Sequence, residues 1–434
     1  MNVRFLLAAL TLGLGLVTFA DFPGSLHTVD YDSPPISYSD AEIGGPMVEL
    51  QTRLEKGEIK LEHHPRYGYL PAVLKALDVP VSSQLLVFSK TSTHRQMIYT
   101  NVPRAIYFND DVYVGWTPGA DLLELSSVDP RNGGVFHGLD QFKSEHPLLL
   151  RNDKCLECHV GSKTMGVPGH LVRSFHNLPN GWPNDGSGYP RISHNAKYED
   201  RWGGWYITGS MPNNPTRANL INPSEVALRK ADPNHRQNLD KLDDFFDTGG
   251  YLSPHSDMVA MLVLEHQTHV HNFITRLNYD ARIFQAQYGH IRYMESPINY
   301  FIRHLLFVDE PPLPGPVKGT SEFAKEFQER GPNDSQGRSL RELDLKTRLF
   351  KYPCSFLIHS DAFDGMMAPL KKRVYERLFE ALTGKDESGD FDGIPPGRRR
   401  DVLEILRATK KDLPEYWKAD GTGEQRREGP DQLK

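Results

Sequence analysis

Hydrophobic and polar positions along the chain fall into two textures, separated by a stretch rich in Gly, Pro and Asn. Gln84–Ser89, Arg104–Phe108, Val112–Trp116 and Leu122–Ser126 are short runs dominated by Val, Ile, Tyr, Phe and Leu. Such residues suit a pleated surface, and Asn109-Asp110-Asp111 separates two of the runs as a hairpin turn does. Asn132-Gly133-Gly134 is a second turn signal, ahead of Val135-Phe136-His137. These runs predict a small antiparallel sheet. From Ser256 onward the apolar spacing becomes that of a helix. Val259, Leu262, Val263, His266, Val270, Phe273 and Leu277 share one face of a long amphipathic helix predicted over Asp257–Asp280. On that helix His269 sits at the edge of the apolar stripe and His271 points away from it. Further helices are predicted within 46–80, over Tyr300–Phe307, over Val374–Leu382 with Gly384 as its cap, and over Asp401–Ala408. The expected fold class is α+β, mostly helical, with long loops and a small antiparallel sheet.

The N-terminus adds a compartment. Arg4 precedes an apolar run from Phe5 to Ala20, and Thr18-Phe19-Ala20 offers small residues where a signal peptidase cuts. Residues 1–20 therefore read as a signal peptide, with a periplasmic or extracellular product and no integral membrane span once it is removed. Residues 21–150 form a helical lead-in and the sheet. Residues 151–308 carry the glycine-rich stretch and the long helix. A Pro-rich loop covers 309–340, with four prolines between Asp309 and Gly319. A C-terminal helical region covers 341–417, and 418–434 is a polar tail. At 434 residues and 38% hydrophobic content, the chain can bury one large core or two ordinary ones. The net charge of -6 is spread over interspersed acidic and basic residues, so no patch suggests nucleic acid.

The chain has three cysteines, too few for a disulfide-stapled exported domain. Two of them stand in Cys155-Leu156-Glu157-Cys158-His159, the signature of covalent attachment of a c-type haem. The spacing has a physical reason. One helical turn presents both thiols to the two vinyl groups along one haem edge, and the following histidine lies under the iron. A thioredoxin-like pair has no need of His159, and no second cysteine pair completes a four-sulfur zinc site. One motif implies one covalent haem c, and export fits, because attachment takes place outside the cytoplasm. A compact electron-transfer cytochrome needs only about 100 residues; the surplus keeps an enzyme reading open.

An electron-transfer haem needs a second axial ligand, Met or His, whereas an enzyme leaves that place open. Met211, in Gly209-Ser210-Met211-Pro212, stands well downstream of His159, as the distal Met of many small cytochromes does. His266 is central to the apolar face of the long helix. His170 and His194 are loop histidines close to the motif. Arg201-Trp202-Gly203-Gly204-Trp205-Tyr206 sets three aromatics around two glycines. There Trp202, Trp205 and Tyr206 are candidates to wall the haem, and Arg201 to pair with a propionate.

Several of these segments resemble a family of large single-haem cytochrome c-domain proteins of environmental bacteria. The likeness is carried by Cys155–His159, Gly166-Val167-Pro168-Gly169-His170, Arg201–Tyr206 with Thr208-Gly209, and Ile106–Trp116. Leu264-Glu265-His266-Gln267, Tyr352-Pro353 and Phe363-Asp364 carry it further. It spans about residues 80–417. It implies a c-type haem, export, and one integrated unit. Relatives carry His at the place of Met211, an exchange that a ligand position tolerates. The expected function is electron transfer to a redox partner protein, with iron held by His159 and Met211. The alternative is a peroxidase- or oxygenase-like haem enzyme whose open distal side is lined by His266 and Arg201. A third class is a binding module in which haem serves as sensor or staple.

Overall fold

The computed structural model describes residues 28–184 and 192–418. The leader predicted over 1–20, and all but the first residue of the predicted tail, lie outside the described residues. The strand signals condense into one seven-stranded sheet, ordered β6-β5-β4-β3-β2-β1-β7. Its strands are β1 Leu85–Val87, β2 Arg104–Phe108, β3 Val112–Trp116, β4 Leu122–Asp129, β5 Gly133–Asp140, β6 Leu149–Arg151 and β7 Trp205–Tyr206. Every neighbouring pair is antiparallel. Eleven α-helices lie among the described residues: α1 Pro46–Glu55, α2 Leu70–Ala76, α3 Leu156–His159, α4 Pro223–Ala231, α5 Met258–Tyr288, α6 Glu295–Leu305, α7 Phe323–Glu329, α8 Asp361–Asp364, α9 Ala368–Thr383, α10 Pro396–Thr409 and α11 Glu415–Lys418. The fold is α+β.

The sheet is a middle layer. Side chains alternate along each strand, and here both faces are covered. Leu86, Tyr107, Val112, Val114, Leu123 and Leu125 pack with Met47 and Leu50 of α1 and with Val73 and Leu74 of α2. Leu85, Val87, Phe108, Tyr113 and Val128 join the core built around α5. Burial on both sides is why the strands read as nearly continuous apolar runs. The core around α5 runs from Leu85 to Trp417, so the regions expected over 151–308 and 341–417 share it.

Asp257 starts α5 by accepting the N–H groups of Val259 and Ala260 at 2.8 and 3.1 Å. Gly289, at φ 71°, ends it. The helix corrects one expectation. It is not amphipathic toward solvent: every residue from Met258 to Tyr279 is buried. His271, expected to point away, is only 1% exposed, and its Nε2 bonds the Asp110 carbonyl at 2.9 Å. Gln267 donates to the Asn109 carbonyl at 2.7 Å and to the Tyr113 hydroxyl at 2.9 Å. Gln267 and His271 face the β2–β3 hairpin and satisfy its backbone, so polarity at these positions marks hydrogen bonding and not water.

Candidate functional site

Strand β6 feeds the attachment motif directly. Asn152 donates its N–H to the Phe136 carbonyl at 2.8 Å, and a 3-10 turn over Asp153–Cys155 runs into the single turn of α3. The thiols of Cys155 and Cys158 are free, one half-buried and one exposed. His159 is held at two points. The Gly169 N–H donates to its carbonyl at 3.0 Å, and its own Nδ1 donates to the Gly169 carbonyl at 2.9 Å. That second bond selects the tautomer whose Nε2 carries a lone pair, the arrangement in which histidine binds a metal. Burial holds the ring neutral, with its pKa lowered to about 4. Phe136 packs beside it at 4.6 Å between ring centroids.

Glycines let the Gly169 segment lie this close to the sheet. A Cβ on Gly133 would stand 2.6 Å from the Pro168 carbonyl oxygen, and one on Gly169 would stand 2.1 Å from Asn272 Oδ1. Asn272, on α5, clamps the next residue. It accepts the His170 N–H at 3.0 Å and donates to the His170 carbonyl at 2.6 Å.

Cys155, Cys158 and His159 line one cavity of about 790 Å³, inside the range of about 300–1,000 Å³ usual for cofactor sites. Its wall includes Lys90, Arg95, Arg104 and Arg173, along with Phe175, Trp182 and Ile192. Arg173 also donates to the Cys158 carbonyl at 3.2 Å, tying the motif to the opposite loop. Arg104 pairs with Glu124 at 2.5 Å. The residues present fit a haem c: two thiols and a histidine on one cavity wall, with apolar and cationic side chains on the same wall.

The structure does not bring the expected second ligand here. Met211 is absent from the cavity wall and fully buried in the core. Its N–H donates to Asn238 Oδ1 at 2.8 Å. The neighbouring Ser210 pairs with Lys318, and the Thr208 carbonyl accepts the Met258 N–H at 2.9 Å. The segment is thus pinned at the start of α5. The cavity meets α5 at Thr268, His269 and Asn272, about 15–20 Å further along the axis at 1.5 Å per residue.

The aromatic segment is also elsewhere. Arg201 forms a buried ion pair with Glu265 and donates to the His194 carbonyl at 2.8 Å. Trp202 Nε1 donates to Glu265 at 3.0 Å, Trp205 Nε1 to the Arg173 carbonyl at 2.7 Å, and the Tyr206 hydroxyl to the Thr100 carbonyl at 2.6 Å. Gly203 does permit a close approach, but to protein: a Cβ there would lie 2.0 Å from the Phe175 carbonyl oxygen. None of the four lines the cavity.

Of the candidate histidines, His266 and His194 are buried together away from the cavity, with their Nδ1 atoms 2.7 Å apart. His170 does line it, but Nε2 bonds Ser126 at 2.9 Å and the ring stacks on Tyr113 at 4.2 Å. Its Nδ1 is buried without a hydrogen-bond partner. The remaining histidine of the wall is His269. Sequence reasoning placed it at the edge of a helical stripe and went no further. The signal available was its position one turn after His266, on the side facing the motif loop. The cationic wall was missed too, because Lys90, Arg95 and Arg104 come from the strand region, far from the motif in sequence. Among the described residues no helix is long and apolar enough to cross a membrane. The chain matches no family model, no curated protein and no solved structure.

Proposed function

We propose that the chain is an exported mono-haem c-type cytochrome working in electron transfer with a redox partner protein. One observation carries the reading: Cys155, Cys158 and a doubly anchored His159 line the same 790 Å³ cavity. Cys155 and Cys158 would hold the haem by thioether bonds, His159 would supply one axial nitrogen, and Arg95 and Arg173 of the wall would pair with the propionates. A bound haem supplies a reversible one-electron iron couple. The chain's own part is to hold the His159 tautomer through Gly169 and to keep apolar surface around the ring. His and Met are the side chains that complete a six-coordinate electron carrier. No Met lines the cavity and His170 is engaged on Ser126, so His269 is the second ligand we assign.

Haem staining of a denaturing gel and optical spectra test this. Wild type should stain, and Cys155→Ala or Cys158→Ala should lose stable covalent attachment; full staining of both variants would overturn the assignment. Reduced wild type should resist CO, and His269→Ala should bind it. Ready CO binding by wild type would move the reading to the open-sided haem enzyme. A near-infrared sulfur-to-iron band would return the ligand to Met211.

A further inference from the structure

Away from the cavity wall that holds the cysteines, three histidines converge with no role in the reading above. His194 comes from the loop before Arg201, His266 from the middle of α5 and His304 from the end of α6. Each is buried, at 2%, 0% and 5% exposure. One nitrogen from each lies within 4.8 Å of the others. We propose that His194, His266 and His304 form a site for one first-row transition-metal ion of imidazole preference, such as Zn²⁺ or Cu²⁺.

The local chemistry supports a ligand set over an ordinary packed core. The two Nδ1 atoms of His194 and His266 stand 2.7 Å apart, so one must be unprotonated to accept from the other. His194 Nε2 is buried and has no hydrogen-bond partner. Buried polar atoms normally have partners, and an orphan needs an explanation. In a tetrahedral shell with bonds of about 2.0–2.1 Å, neighbouring ligand nitrogens sit about 3.4 Å apart. One nitrogen from each ring lies within 4.8 Å of the others, a spread that accommodates that value.

Supports around the rings are those a metal site uses. His266 Nε2 bonds the Ser355 hydroxyl at 2.8 Å, which fixes that ring. The His194 backbone is held by Arg201, itself anchored on Glu265. Phe307 packs against both rings at 4.4 and 4.5 Å, shielding them from water. Neutral imidazoles in such a shell favour Zn²⁺ or copper over Mg²⁺ or Ca²⁺, which need oxygen ligands. His269 lines the cavity and lies edge-on to His304, with centroids 4.6 Å apart. The metal would therefore sit one side chain from the cofactor cavity.

The test is equilibrium dialysis of the full-length protein, stripped with chelator, against Zn²⁺ alone, with metal counted by mass spectrometry so that haem iron is scored separately. Wild type should take up one Zn²⁺ per chain. His194→Gln and His304→Gln should each weaken binding at least 10-fold, while His64→Gln, outside the cluster, should not. The zinc absorption edge should show about three imidazole nitrogens at about 2.0 Å. Wild type binding no zinc, or the two cluster variants binding as tightly as wild type, would overturn the site. If the variants do not fold, the wild-type stoichiometry and edge spectrum decide alone. Zinc bound by Cys155 and Cys158 in protein lacking haem would add sulfur at about 2.3 Å to the edge spectrum, which tells that site from the three-histidine one.

Discussion

Asn272→Leu should destabilise the protein by removing the clamp behind His159 while keeping side-chain volume close to the original. The amide makes two buried hydrogen bonds, from the His170 N–H at 3.0 Å and to the His170 carbonyl at 2.6 Å. Leucine leaves both backbone groups unsatisfied. Each buried orphan costs about 1–3 kcal/mol, so the pair costs about 2–6 kcal/mol. With an unfolding entropy of about 2.1 cal/mol/K per residue, a 434-residue chain has a total near 0.9 kcal/mol/K. The melting temperature should then fall by about 2–7 °C, read by calorimetry or circular dichroism. A second variant checks the mechanism. Gly169→Ala drives a Cβ to 2.1 Å from Asn272 Oδ1, so truncating that amide should relieve part of the clash. The Gly169→Ala/Asn272→Ala double variant should be less destabilised than the sum of its singles. A melting temperature for Asn272→Leu within about 1 °C of wild type would refute the clamp.

Three further outcomes are expected. Glu265→Gln leaves the buried Arg201 guanidinium without its counter-charge and should cost about 3–5 kcal/mol; an Arg201→Met/Glu265→Leu double variant should melt above Glu265→Gln, and the reverse order would sink the argument. Cys354, fully buried with its thiol pKa pushed up by burial, should resist thiol reagents in the native state and react only on unfolding; labelling at the rate of a free thiol would contradict this. Asp111 has its pKa raised to about 7, chiefly by burial and then by Asp110. A raised folded-state pKa gives stability that is fully present below the unfolded value, about 4, and is lost as pH climbs to 7. Between pH 5 and pH 8 wild type should therefore lose more melting temperature than Asp111→Asn; equal losses would show that Asp111 does not titrate this way.

What was legible in the sequence was local. Cys155–His159 is a five-residue pattern read within one helical turn, and the structure sets a cavity beside it. The strands β2 to β5 were legible because short β-branched and aromatic runs and turn residues act over a few positions, and Gly384 because a left-handed cap is a backbone requirement at one residue. The tertiary structure decided everything that depends on which surfaces meet. Met211 carried a plausible ligand pattern, but hydrogen bonds to Asn238 and the pairing of Ser210 with Lys318 pin it at the wrong end of α5. Gly203 allows close approach in either reading, and only packing made the neighbour Phe175. His271 was assigned to the outside because periodicity equates polar with wet. In a helix covered on all sides, polar side chains instead satisfy the backbone of their neighbours. His194 and His266 stand 72 residues apart and His304 a further 38 along the chain, and periodicity within one helix carries no information about such partners. Long-range convergence follows from how the sheet, α5 and α6 close around one core, because that closure alone sets which distant side chains share a dry volume.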